Sequence, residues 1–197
     1  MTVTVTIYDK VNKHNHVIEE LLRELGWWHK YYALSALESG VAQVAVLNID
    51  HRVAGCEIFY KTTIGDSKFC VHYYVVVDRN LRGKGYGKIL VSSVEEYCGD
   101  VEAYIATIAE YNIPSIRMFK SLNYELFTWD EIDEIKTGLS YVFMKATCGY
   151  EDDFICIKTV DKPVESFLKS LEPIKGDYTR IWKKICYKPW ARLRNYF

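Results

Sequence analysis

Alternating Thr with Val or Ile over residues 1–8 opens the chain with the two-residue period of a strand over residues 2–8. Ile18, Leu21, Leu22 and Leu25 then fall on one helical face, and Gly26 ends it. A second helix carries Trp28, Tyr31, Tyr32 and residues 34–37 and stops near Gly40. Residues 43–49 and 52–60 read as strands joined by a short turn at Asp50 and His51. A polar loop over 61–68 follows, then a strand over 69–77. Another helix has Leu90, Val94, Tyr97 and Cys98 on one face and Gly99 after it, and a strand covers 101–108. Asn112 is placed to cap a helix with Pro114 in its first turn and Ile116, Phe119 and Leu122 along it. Residues 124–129 and 139–145 read as a closing strand pair, separated by the acidic segment 130–134. Further on, 154–158 is strand-like, Pro163 precedes a short helix through Phe167 and Leu171, Pro173 breaks the chain, and 178–187 reads as a helix.

The densest signal lies at residues 75–98. Val75, Val76 and Val77 end a strand, and Arg82, Gly83, Lys84, Gly85, Tyr86, Gly87 and Lys88 lead into a helix. Three glycines at alternate positions leave the backbone unshielded. A helix N-terminus offers N–H groups without helical partners and a partial positive charge. Together these make a site for phosphate oxygens, with Arg82, Lys84 and Lys88 adding charge. The spacing is not that of a P-loop, which needs Gly at position 82 and Ser or Thr at 89, where Arg82 and Ile89 stand. Nor is it a dinucleotide fingerprint, because the third glycine comes one residue early.

At 197 residues one domain, with or without an appendage, is expected. About half the residues are hydrophobic and 15% aromatic, enough for a sizeable core. A net charge of −1 gives no global field that selects nucleic acid or membrane. No apolar run approaches the ~18 residues of a membrane span. The N-terminus lacks the charged start and apolar block of a signal peptide. The six cysteines form no C-x-x-C pair, so a metal site is not expected; buried thiols in a reduced cytosol are the favoured reading, with an intracellular disulfide as the alternative.

The loop resembles the acyl-CoA pyrophosphate loop of the GNAT acetyltransferase superfamily, which reads Arg or Gln, two residues, Gly, one residue, Gly or Ala. Arg82, Gly85 and Gly87 match it, and Val77 stands five residues before the Arg. Residues 52–56, with Gly55, resemble the family's hairpin. The helix after residue 112 matches a second motif: Asn112, the small Ser115 three residues on, an aromatic at Phe119, and Asn123-Tyr124 where the family ends with Gly-aromatic. The resemblance covers roughly residues 1–147 and implies an α/β fold with a mixed, mostly antiparallel sheet flanked by helices. Residues 148–197 would be a helical, basic, aromatic-rich extension packed on that domain.

The resemblance further implies acetyl-CoA as acetyl donor to an amine on a small molecule, a lysine or a protein N-terminus. Its pyrophosphate would sit on Arg82 to Lys88. The pantetheine arm would bond Val75 to Val77, with the strand around Ile105 to Thr107 splayed away, and Asn112, Ser115 and Phe119 would complete the cofactor site. Acetyl transfer to an amine also needs a proton acceptor, a donor to the developing oxyanion and a proton for the leaving thiolate. The family's usual tyrosine acid falls on Phe119, which has no hydroxyl, so Tyr111, Tyr124 or water takes that part, or the thiolate leaves unaided. His72 and Tyr73, on opposite faces of their strand, are the candidate base residues, together with Tyr74 and Glu57. The aromatic group Trp27, Trp28, Tyr31, Tyr32 reads as core or as a substrate wall.

Two other readings stand beside the enzyme: a CoA-binding pseudoenzyme, and an interaction protein using the basic C-terminal residues. Lys175, Arg180, Lys183, Lys184, Lys188, Arg192 and Arg194 face only Asp177, with Trp182, Tyr187, Trp190, Tyr196 and Phe197 interleaved. Packing against the domain, or a contact with nucleic acid or an acidic partner, would each explain that mixture. A cytoplasmic monomer or homodimer is expected.

Overall fold

The computed structural model describes residues 1–9, 16–172 and 176–194. Lys175, Tyr196 and Phe197 of the basic end, and Pro173, lie outside the described residues. In chain order the elements are β1 (Val3–Tyr8), α1 (His16–Leu22), α2 (Gly26–Glu38), β2 (Gln43–Ile49), β3 (Arg52–Ile64), β4 (Ser67–Val77) and α3 (Tyr86–Tyr97). There follow β5 (Ala103–Ile108), α4 (Ile113–Ser121), β6 (Glu125–Thr128), α5 (Trp129–Ile135), α6 (Leu139–Thr147), β7 (Phe154–Thr159), α7 (Val164–Ser170), α8 (Tyr178–Trp182) and α9 (Lys188–Arg194). The strands form a seven-stranded mixed sheet in the order β1-β2-β3-β4-β5-β7-β6. β4 and β5 pair in parallel, while β1–β2, β2–β3, β5–β7 and β6–β7 are antiparallel.

The chain divides into two compact units. One comprises Met1–Tyr60, His72–Tyr97 and the stretch from Lys183 onward. Here Asp50 and His51 take left-handed backbone, with φ of 47° and 65°, as a two-residue hairpin turn between β2 and β3 requires. β3 is irregular near Ala54, where its register with β2 shifts between Val53 and Gly55, and runs regularly from Gly55 to Phe59. Gly55, Glu57 and Phe59 share one face, which α3 covers: a Cβ on Gly55 would stand 3.3 Å from Leu90, and Phe59 meets Tyr97 edge to face. Leu90, Val91 and Val94 of α3 are fully buried, and truncating Leu90 to Ala would cost about 2–5 kcal/mol. A π turn over Lys183–Tyr187 and α9 pack on α2 through the buried Ile185, Cys186 and Leu193.

The other unit comprises Lys61–Val71 and Cys98–Trp182. Residues 61–64 and 67–68 are strand rather than loop; Thr62 and Ile64 are buried, and the turn shrinks to Gly65 and Asp66. The predicted closing strand pair is also corrected. β6 ends at Thr128, whose hydroxyl and backbone form a capping box with Glu131 and start α5. Residues 139–147 form α6, with Leu139, Phe143 and Ala146 buried at helical spacing. The antiparallel partner of β6 is β7, which pairs with β5 on its other side, so the stretch beyond residue 147 supplies a strand of the sheet. Cys56, Cys70, Cys98 and Cys156 are buried thiols, whereas Cys148 and Cys186 are disulfide-bonded, which departs from the reduced cytosol favoured for the cysteines and follows the intracellular disulfide left open beside it.

Candidate functional site

The glycine loop is held at both ends. At its entrance the Asp78 N–H donates to the Ala54 carbonyl at 2.9 Å, and the Asp78 carboxylate accepts from the Asn80 N–H at 2.8 Å. Arg82 then folds back: its Nε donates to the Val77 carbonyl at 3.0 Å and its Nη2 to Glu24 Oε2 at 2.9 Å. The five-residue spacing of Val77 and Arg82 thus closes the loop on itself. It also partly neutralises the guanidinium, and Lys84 and Lys88 are exposed beside it. At the exit the Gly85 carbonyl accepts from Lys88 and Ile89, which begins the helical ladder, and the buried Tyr86 anchors that turn.

Gly83 and Gly85 have φ of 77° and 84°, and a Cβ on either would meet no protein atom within 4 Å. Left-handed backbone facing open space presents peptide N–H groups where a side chain would otherwise intrude. The Tyr86 and Gly87 amides, at the very start of α3, precede that ladder and have no carbonyl one turn earlier to bond. A cradle of this kind suits a diphosphate. Val75, Val76 and Val77 lead into it, with Val76 buried and its neighbours half-buried.

β4 sorts its candidate side chains sharply. His72 Nδ1 is bonded to Glu57 Oε1, both side chains wholly enclosed, on the sheet face beneath α3. Burial raises the Glu57 carboxyl above its ordinary range; His72 opposes that shift and Glu95 of α3 adds to it. Glu57 Oε2 has no hydrogen-bond partner. Neither residue reaches solvent. Tyr73 faces the other way, edge to face with Tyr60, and Tyr74 lies against His29 of α2, Oη to Nδ1 at 3.4 Å. The Tyr73 and Tyr74 rings are 4.5 Å apart, so two consecutive side chains share a face and the alternation of a regular strand breaks there. Burial, with Tyr74 and Tyr60 adding to it, pushes the Tyr73 phenol well up, so it keeps its proton and can donate it in a hydrogen bond. His29 escaped the reading of the sequence, although its place one residue past Trp28 puts it on the same helix as the aromatic group.

The remaining predicted residues belong to the other unit. Asn112 caps α4, its side-chain oxygen accepting from the Ser115 N–H at 3.3 Å. Phe119 and Tyr124 are buried and meet edge to face at 4.9 Å, a pair worth about 0.5–1.5 kcal/mol. Asn123 between α4 and β6 takes the left-handed conformation, φ 66°, expected of the residue replacing glycine. Tyr111 is 81% exposed. The parallel pairing of β4 with β5 covers Phe69↔Ala103 to Val71↔Ile105. Among the described residues no cluster suited to a metal ion occurs, and no helix is long and apolar enough to cross a membrane.

The acetyltransferase (GNAT) family model matches residues 8–124, more than half the chain. The chain therefore belongs to the GNAT acetyltransferase family. Among similar solved structures is a GNAT family acetyltransferase from Elizabethkingia anophelis with acetyl-CoA bound (TM-score 0.56, 11% identity, 80% of this chain and 98% of that one). Another is the PaiA N-acetyltransferase of Thermoplasma acidophilum in complex with coenzyme A (0.54, 12%, 81% and 100%). A third is Arabidopsis thaliana NAA60 with a bisubstrate analogue (0.53, 11%, 81% and 100%). At these identities the likeness is one of fold. No curated protein matches the chain by sequence.

Proposed function

We propose that the chain is an acetyl-CoA-dependent N-acetyltransferase acting on a primary amine of a small molecule, a lysine or a protein N-terminus. The observation that carries this reading is the loop: Arg82 closed onto Val77, and Gly83 and Gly85 turned left-handed toward open space at the start of α3. Acetyl-CoA supplies the activated thioester. The amides from Gly83 to Gly87, with the Lys84 and Lys88 side chains, hold its diphosphate, and the β4 backbone at Val75 to Val77 offers strand-like hydrogen bonds to the amides of its arm. That similar folds are solved with acetyl-CoA or coenzyme A supports the choice of donor.

The amine must lose a proton to attack. His72 is sealed under α3 with Glu57, so the exposed His29, in contact with the Tyr74 hydroxyl, is our choice of acceptor. Tyr73 stays protonated as a donor. Burial pushes the Cys56 and Cys156 thiols up to about 12, so neither serves as a thiolate nucleophile, which favours direct transfer to the amine. Phe119 favours a second reading, a CoA-binding protein without turnover, because it offers the thiolate no hydroxyl.

Free CoA released from acetyl-CoA with a panel of polyamines, free lysine and peptide N-termini tests both. Amine-dependent release supports the enzyme. Acetyl-CoA binding without release on any acceptor supports the second reading.

A further inference from the structure

The stretch from Lys183 to Arg194 has a surface chemistry that acetyl transfer does not use. It contains five basic residues and no acidic one. Its apolar side chains are spent on the fold: Ile185, Cys186, Pro189 and Leu193 are buried. Every exposed residue is basic or aromatic, namely Lys183, Tyr187, Lys188, Trp190, Arg192 and Arg194. Among the described residues no carboxylate pairs with Lys183, Lys184, Lys188, Arg192 or Arg194.

The rings are ordered as well as exposed. Tyr187 and Trp190 lie with centroids 6.0 Å apart and planes 34° from parallel, and the Arg194 guanidinium sits 5.3 Å from the Trp190 ring. Spacings of three and four residues align Tyr187, Trp190 and Arg194 along one helical face. Two flat rings and a guanidinium plane, flanked by Lys183, Lys188 and Arg192, form a short stacking platform inside a positive field.

We propose that this face binds single-stranded nucleic acid, bases stacking on Tyr187 and Trp190 and phosphates contacting the surrounding Lys and Arg. The charge complements a polyanion. The half-exposed rings distinguish a nucleic acid from an acidic peptide, which would leave them unmatched. An anionic membrane fits less well, because an interfacial helix inserts its apolar side and here that side is buried in the protein.

The test uses the full chain and a fluorescein-labelled oligothymidine of about 20 nucleotides, longer than the roughly 4–16-nucleotide footprint of such sites. Anisotropy should show saturable binding, with log K falling against log salt at a slope of about −2 or steeper, for three or more phosphate contacts at roughly −0.7 each. Trp190→Ala should weaken binding by about fivefold or more through lost stacking, and Lys188→Glu with Arg192→Glu by more than that. Both variants should keep the wild-type melting temperature, because all three side chains are exposed; a Trp190→Phe variant retains a stacking ring and should recover most of the affinity. No binding at about 50 mM salt overturns the proposal. So does binding that the charge reversals abolish but Trp190→Ala leaves unchanged, which would mark a purely electrostatic contact with phosphates and no stacking platform. Stronger association with vesicles of anionic phospholipid than with the oligonucleotide overturns it in favour of a membrane.

Discussion

The glycine loop and the strand that feeds it are adjacent in sequence and opposite in design. The loop works with backbone. Its side chains either shape it, as Arg82 and Tyr86 do, or stand clear in solvent, as Lys84 and Lys88 do. β4 works with side chains, and the fold decides which face each one meets: His72 goes under α3 with Glu57, Tyr73 and Tyr74 toward α2. Backbone function is written in spacing, because glycines at fixed offsets have few other uses. Side-chain function is written in orientation, and one irregularity in a strand reverses it.

The sharpest way to separate the two regions is kinetic. Removing the proton acceptor should damage chemistry and spare cofactor binding: His29→Ala is expected to lower kcat by about 10²-fold while the KM for acetyl-CoA moves less than about threefold. Equal kcat in a folded variant would return the role to water or another group. Phe119→Tyr should change turnover by less than about tenfold, since general-acid help is worth more than that only if nothing else supplies it. A wild type inactive with every amine, and a Phe119→Tyr that turns over, would identify the chain as a lapsed enzyme.

The buried pair makes a smaller, pH-dependent prediction. The folded-state Glu57 carboxyl is raised by burial, against the opposing His72 and with the Glu95 carboxylate reinforcing it. The folded chain therefore holds a proton that the unfolded chain has released. Its stabilising contribution is full below the ordinary glutamate pKa and declines as pH rises through the raised one. Glu57→Gln keeps an acceptor for His72 and does not titrate. Its melting temperature should gain on the wild type steadily from about pH 5 to 8, by a few degrees. A gap that narrows with rising pH would show that the ion pair with His72 outweighs burial.

Much of the fold was legible. β1, β2, the first part of β3, the Asp50-His51 turn, α3, β5, α4 with its Asn112 cap and the left-handed Asn123 all follow from period and capping chemistry. The closing region was not, for a physical reason. Residues 139–147 are apolar enough to read as a buried strand, and only the spacing of Leu139, Phe143 and Ala146 marks a helix. The Thr128–Glu131 capping box was a readable start signal inside what looked like strand. Of the site, the cradle was visible in its glycines and Arg82, but the closure of Arg82 onto Val77 and Glu24 was not. His29 was hidden because its partner, Tyr74, is 45 residues away.

Calorimetric titration with coenzyme A tests the account most directly. Wild type should bind, and Gly85→Val should lose at least tenfold in affinity, about 1.4 kcal/mol. The new side chain would fill the open space before the amides, and left-handed backbone at φ 84° would strain against it. Glu57→Gln, measured alongside, should bind as wild type does. Equal affinities for wild type and a folded Gly85→Val would contradict the assignment of the loop as the cofactor's cradle.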